Sequence, residues 1–521
     1  MATTNGTSSA SSYSYLQTSN GRFSGLASGM DIDSIVEKLM KAEAAKMEKL
    51  QQQKQKYEWQ RDAYRSVNTK LETFRTDAFD KYAPSTFAAK TASVSDSRVS
   101  ATATSDATGT LNISSVSSLA TATQTISDEV KITENGAERL VKGTDSLGSL
   151  SLTTGSFTMK VVQKNGSTVE KTVNYDENES IDTFVKNLNS AGLGVTAMFG
   201  NGKLSLTSNT TGEYDDGTIA VDNGSTELFT KLGFGNKMSP NPSGTINLGT
   251  GTDAQYVING IEKSAKTNSF AELGYNVTLN STFTDSGTPV TISSNTDTEK
   301  IVDQVKSFVK MYNDLIGSFN TSIGEKKNYD YAPLTDAQRS AMSESQINTW
   351  EEKAKKGLLR GDSSISKVLS EMRTTLYSTQ NVDSPYNALY KIGITTSATY
   401  SDNGKLEIDE DALRAAINDD ADAVASLFGR AEGKNSATDK GGVINQLRAI
   451  AKTGIDTITK KAGKDTSVET SYTLGKNISS LTTKIDEWKD KLKTIEERYY
   501  KQFTAMETAI SNANTQSSLF A

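Results

Sequence analysis

The residues of this 521-residue chain that could act chemically are serines, lysines, tyrosines and carboxylates, because it contains no cysteine and no histidine. That excludes thiol redox chemistry, zinc-finger sites and any triad or metal centre that needs histidine. Ser364-Ile365-Ser366-Lys367, Ser401-Asp402-Asn403 and Lys452-Thr453-Gly454 stand in the order used by penicillin-recognising serine enzymes, where a serine attacks an acyl group beside a lysine. In such a site Lys-Thr-Gly lies on the edge of a core strand. Here it interrupts "VINQLRAIAKTGIDTITKKAG", whose apolar spacing is helical, and Ser-Asp-Asn reads as the approach to a hairpin. A second Ser-x-x-Lys, Ser307 to Lys310, falls within a helical stretch, so a Ser- and Lys-rich chain generates the pattern by chance. No catalytic residue is assigned.

Three acidic clusters raise the question of a metal: "YDENES" from Tyr175, "EYDDG" from Glu213 and "DEDALRAAINDDADAV" from Asp409. None has the spacing of an EF-hand loop. The first two read as turns and the third as acid at the N-termini of two successive helices, so neither metal nor cofactor is expected. Net charge is -7 with both signs interspersed, which argues against nucleic acid as a partner. A hydrophobic fraction of 35% with no long apolar run argues against membrane insertion. The first residues, "MATTNGTSSASSYSYLQTSNG", lack the basic and apolar regions of a cleaved signal peptide and read as a disordered polar tail.

The elements that carry these residues are of two kinds. From Arg22 to Phe74 no proline occurs, Ser34 and Glu37 have capping-box spacing, and Asp31 and Asp33 place acid where a helix dipole favours it. A seven-residue rhythm then runs through Leu50, Tyr57, Tyr64, Leu71 and Ala78, with Val67 and Phe74 at the alternate position of the later heptads. Gln53 and Gln60 hold that position in the earlier ones, so this helix needs a partner. A stronger seam closes the chain: Ile478, Leu481, Ile485, Trp488, Leu492, Ile495 and Tyr499, then Phe503, Met506 and Ile510 after a stutter. Pairing of the two terminal helices makes everything between them an insertion on a helical stalk. Two separate oligomeric coils remain the alternative, because seam quality does not fix orientation.

After Pro84 the chain turns to short alternating runs separated by Gly, Asn, Ser and Asp. "FTMKVVQKNGSTVEKTVNY" is a hairpin over Asn165-Gly166, "SIDTFVKNLNSAG" a short helix, and "LGVTAMFGNGKLSLTS" a hairpin over Asn201-Gly202. An echo follows with Asn259-Gly260 at its first turn and Phe270 to Leu273 as a shortened helix, while Asn209 to Gly251 reads as long loops and a linker. Helices return with a capping box at Thr296 and Glu299 and an apolar face of Ile301, Val305, Phe308, Tyr312 and Leu315. Two more boxes, Thr335 with Gln338 and Ser343 with Gln346, precede a C-cap at Gly357 and a hairpin over Asn403-Gly404.

The opening "FSGLASGMDIDSIVEKLM" resembles the N-terminal signature of the flagellar filament cap (hook-associated protein two) family, carried by Phe23, Gly25, Leu26, Gly29 and Asp31. "APLTDAQRSAMSESQINTWEEKAKKGLLRGDSSI", "LYKIGITTSATYSDNGKLEIDEDAL" and "YYKQFTAMETAISNANTQSSL" are similar to its C-terminal region in Gram-positive bacteria, and the hairpin modules resemble an insertion shared with flagellins. The resemblance implies an extracellular protein, exported without a cleaved signal peptide and met by an export chaperone before secretion. It implies a ring of copies at the flagellum tip that helps flagellin fold into place, with the legs contacting flagellin or the hook-filament junction protein. Another axial protein (junction protein or flagellin) and a surface adhesin are the alternatives. The fold expected is an α+β multidomain one with a coiled-coil stalk, a helical middle domain and inserted antiparallel β-rich modules. Its divisions are a tail 1–22, a leg 23–45 with 471–521, a stalk and body 46–84 with 296–470, a β-rich domain 85–125 with 250–295, and a distal domain 126–249 carrying the flagellin-type hairpin-helix-hairpin insertion.

Overall fold

The computed structural model describes residues 28–284, 288–433 and 439–518. The tail 1–22 and the signature residues Phe23, Gly25 and Leu26 lie outside the described residues. The chain divides into two compact units, one formed by the segment up to Ala88 with that from Thr298 onward, the other by Ala89–Asp297.

The first unit begins with α1, Ile32–Asp80, a helix of 49 residues without a break. Asp31 is its N-cap, accepting the Ser34 N–H at 3.0 Å, so the helix starts three residues before the expected cap and Ser34 sits inside the first turn. Gly29 turns the chain into this start with φ +71, a conformation that favours glycine. Pro84 opens a short 3₁₀ turn after the helix, and Phe87 beyond it stacks on Phe428 at 4.7 Å.

In the second unit, five antiparallel strands lie in the order Lys90–Val94, Val290–Thr296, Leu111–Ser118, Ala254–Ile258 and Ile261–Ala265. Three more run Ser269–Glu272, Tyr275–Leu279 and Val99–Ala103, and together they enclose a core that includes Leu111, Ile113, Tyr275, Val277 and Ile292. Phe270–Leu273 is therefore not a shortened helix. Leu273 and Gly274, at φ 49 and 81, form the tight left-handed turn of a hairpin, and Phe270 turns inward to stack on Tyr256 at 4.5 Å. Thr296 is not a helix cap either; it ends a strand, paired with Lys90.

A second core in this unit lies between a five-stranded sheet (Ser239–Pro240, Thr245–Gly249, Ile219–Asp222, Gly155–Val162, Thr168–Tyr175) and a three-stranded one (Ala122–Ile126, Lys203–Thr211, Val195–Gly200). The hairpins over Asn165-Gly166 and Asn201-Gly202 stand in different sheets, joined by α2, Ile181–Ser190. Ser180 caps α2, and Ile181, Phe184 and Leu188 bury its inner face. The segment from Asn209 to Gly251 is not linker. It supplies the central strand Ile219–Asp222 and α3, Thr226–Phe229, and with them Val221, Phe229, Phe234 and Leu248 of the core. Ala122–Ile126 pairs with Lys203–Thr211, so it joins the 126–249 segment rather than 85–125.

The first unit resumes with α4, Thr298–Gly324, whose Ile301, Val305, Phe308, Tyr312 and Leu315 are all buried. Next come α5, Asp336–Ser340, and α6, Glu344–Ala354, each opened by its capping box at Thr335 and Ser343. The C-cap of α6 is Lys355, with Gly357 two residues further at φ +69. Then follow α7, Ser363–Tyr377, the strand pair Ile394–Thr396 and Leu406–Ile408, and two helices each capped by an aspartate: α8, Glu410–Asp419, by Asp409, and α9, Ala421–Gly429, by Asp420. The unit ends with α10, Val443–Ala462, and α11, Thr473–Ser518. Among the described residues no helix is long and apolar enough to cross a membrane.

Candidate functional site

The two ends of the chain meet in a helix pair. Ile32, Val36, Met40, Ala44 and Met47 of α1 recur at three- or four-residue steps and so share one face, which packs against Ile485, Leu492 and Ile495 of α11 in a buried cluster. Leu50, Trp488, Tyr499, Tyr500 and Phe503 pack against its edges. Polar contacts fix the direction. Ser28 donates to Glu507, Tyr500 Oη donates to Asp33 at 3.0 Å, and Lys46 Nζ lies 5.6 Å from the Trp488 ring centre. As the number rises along α1 its partner's number falls along α11, so the pair is antiparallel. Tyr499 adds a bond to Glu43 at 3.3 Å, and Lys491 covers Trp488 from its own helix at 4.5 Å.

The heptad residues of α1 do not all belong to that seam. Leu50 and Tyr57 are half-buried, and no residue between Met47 and Trp59 is buried. Tyr64, Val67, Leu71, Phe74 and Ala78 are buried in the half of α1 that lies against α10 and α4. Leu71 faces Gly454 of α10, Asn68 bonds Thr459, and Arg65 donates to the Ala462 carbonyl at 3.1 Å, where a cation suits the C-terminal end of α10. One helix thus serves two partners in succession, and Leu71 lies outside the cluster that holds Leu492. On α11, Ile478 and Leu481 are buried ahead of the seam, whereas Met506 and Ile510 beyond it are only half-buried.

Asp362 joins three helices of the first unit, and nothing in the apolar spacing announced it. It caps α7 through the Ser364 and Ile365 N–H groups, accepts the Tyr64 hydroxyl of α1 at 2.6 Å, and pairs with Lys461 of α10 at 2.9 Å. Burial alone would raise its pKa, but the hydrogen bonds from Tyr64, Lys461 and Ile365 outweigh burial and hold the carboxyl below its usual range. Burial, with Asp362 adjacent, pushes the Tyr64 phenol up, so it stays a donor.

The Ser/Lys motifs fall on helices and a loop. Ser364 is in the first turn of α7, with Lys367 paired to Glu371 at 3.7 Å. Lys452 pairs with Asp456 at 2.8 Å along α10, and Ser401 and Asp402 form a 3₁₀ turn. Among the described residues no cluster of acids could hold a metal ion.

Two family models match the chain: the flagellar hook-associated protein 2 N-terminus over residues 28–123 and its C-terminus over residues 251–515. Flagellar hook-associated protein 2 of Halalkalibacterium halodurans is 30% identical over 95% of this chain and 98% of its own length. That of Escherichia coli K12 is 27% identical over 95% of this chain and 96% of its own. The crystal structure of the Escherichia coli flagellar cap protein FliD D1-D2-D3 domains covers 81% of this chain and 99% of its own, with 23% identity and a TM-score of 0.49. The chain belongs to the flagellar hook-associated protein 2 family.

Proposed function

We propose that this chain caps the flagellar filament as a ring of copies, and that its paired terminal helices are the legs by which it stands on the flagellin below. The observation that carries the reading is the seam of α11, which is buried against α1 through Ile495 but runs on to the half-buried Phe503, Met506 and Ile510. An amphipathic helix with uncovered apolar positions docks into a groove between other helices. Flagellin and the hook-filament junction protein are the partners assigned to that surface, and an export chaperone shields it before secretion through the flagellar channel. Shape and binding perform the work, so Ser364 and Lys452 have no chemical part in it.

The test has two arms. Electron microscopy of the purified chain is expected to show closed rings. Cells whose copy ends before Tyr499 are expected to release flagellin into the medium and build few or short filaments, whereas cells carrying Ser364→Ala or Lys452→Ala build normal ones. Normal filaments with the truncation, or their loss with Ser364→Ala, would defeat the reading.

A further inference from the structure

The segment that follows α4 lies against α1 and presents lysines beside aromatic rings. Gln52 of α1 donates to the Pro333 carbonyl at 2.7 Å and Gln60 to that of Leu358 at 3.3 Å, so the segment is tied to α1 at two points. Within it the Tyr331 and Trp350 rings meet at 4.6 Å, and the indole N–H is satisfied by the Ala332 carbonyl at 2.8 Å. Lys353 Nζ stands 4.9 Å from the Tyr331 ring and Lys327 Nζ 4.9 Å from that of Tyr329, which is 78% exposed.

These cations are poorly compensated. Arg339 and Lys355 occupy Glu351, and the Gly357 N–H occupies Glu325. Among the described residues, Lys56, Lys327 and Lys353 have no carboxylate partner. Lys56 stands against Lys327, and partial burial together with that second ammonium depresses its pKa. Like charges held together beside exposed aromatic surface lower their energy when an anion arrives.

We infer that Lys56, Lys327 and Lys353, with the Tyr329, Tyr331 and Trp350 rings, form a docking shelf for an acidic polypeptide segment of another protein chain. Charge complementarity selects the anion, and the rings offer flat surface against which the methylene stems of its acidic side chains can lie. A polypeptide is favoured over single-stranded nucleic acid because its acidic side chains can turn away from Asp330 and Glu352 of the same segment, whereas phosphates are fixed in the backbone at every unit. The inference is independent of capping, since no shelf residue belongs to the buried cluster that pairs α1 with α11; Lys56 lies further along α1.

The test is the anisotropy of a dye-labelled oligo-glutamate peptide titrated with the purified full chain. Saturable binding that weakens as salt rises is expected. Lys327→Glu with Lys353→Glu should weaken it by about tenfold or more, and Lys405→Glu, elsewhere on the surface, should leave it unchanged. The pair Lys327→Ala and Lys353→Ala should show the same direction, and unchanged melting should accompany both pairs. Absence of saturable binding, equal binding by the double variant, equal binding of labelled oligo-glutamine, or tighter binding of a single-stranded oligodeoxynucleotide would each overturn the inference.

Discussion

Gly454 of α10 faces Leu71 of α1 so closely that a Cβ at 454 would stand 3.3 Å from Leu71 Cδ1 and 2.7 Å from Val368 Cγ2. The glycine of the Lys-Thr-Gly sequence is therefore a packing glycine where three helices converge, and its neighbours serve the same helix. Thr453 donates back to the Ala449 carbonyl at 3.0 Å and Lys452 pairs with Asp456. A valine at 454 gains helix propensity but overpacks the contact, so Gly454→Val should lower stability by about 1–3 kcal/mol. Denaturant unfolding of the full chain measures this, and an unchanged midpoint would mean that α1 and α10 are not in contact there.

Asp362 should make the first unit acid-sensitive. Its folded pKa is depressed, so its contribution is present above the unfolded value of about 3.9 and is lost as pH falls through the folded value. Asp362→Asn leaves Lys461 without its counter-charge and should cost about 3 kcal/mol near neutral pH. Melting measured against pH should show the gap between variant and wild type narrowing below about pH 4. A gap of constant size would show that the carboxylate charge does not matter.

Leu492 and Leu71 are both fully buried, yet charge placed at each should have different reach. Leu492→Asp breaks the cluster shared by α1 and α11 and should speed amide exchange over Ile32–Met47 and Ile485–Phe503, leaving α4, α7 and α10 protected. Leu71→Asp strikes the packing of α1 on α10 and should lower protection throughout the helical unit. Hydrogen exchange read by mass spectrometry separates the two, and identical patterns would contradict a division of α1 between two partners.

Legibility in the sequence followed the physics of each element. Asn201-Gly202 and Asn259-Gly260 name their hairpins because both residues take the left-handed backbone that the two-residue turn requires, whereas Asn403-Gly404 lies within a longer connection between the strands ending at Thr396 and starting at Leu406. The boxes at Thr335 and Ser343 name their helices because side chain and backbone satisfy each other locally. The strand Ile219–Asp222 was hidden, since four residues amid glycine, serine and asparagine carry no period and only the sheet around them buries all three apolar residues. Phe270–Leu273 misled because a short apolar run fits either structure and the left-handed Leu273 is an uncommon turn residue. The heptad rhythm of α1 starts at Leu50, whereas its packed face begins at Ile32. Alanine and methionine give that earlier stretch a weaker apolar signal than the aromatic residues further on. Asp362 left no trace at all, because its partners are 298 and 99 positions away.

The unbroken run of α1 has a mechanical consequence. At 1.5 Å per residue it is a rod about 73 Å long, clamped by α11 over its first turns and by α10 and α4 over its last. With no loop to absorb displacement, a sideways load on the Ile32 end arrives at the other clamp as a turning moment. Between the clamps lies "EKLQQQKQKYE", Glu48 to Glu58, where no side chain is buried and the helix is held by lighter contacts, such as Gln52 on the Pro333 carbonyl. Deflection concentrates in that span, so the Ile32 end and the turns of α11 packed on it can tilt together against an uneven support while the packing at Tyr64, Leu71 and Phe74 keeps its geometry.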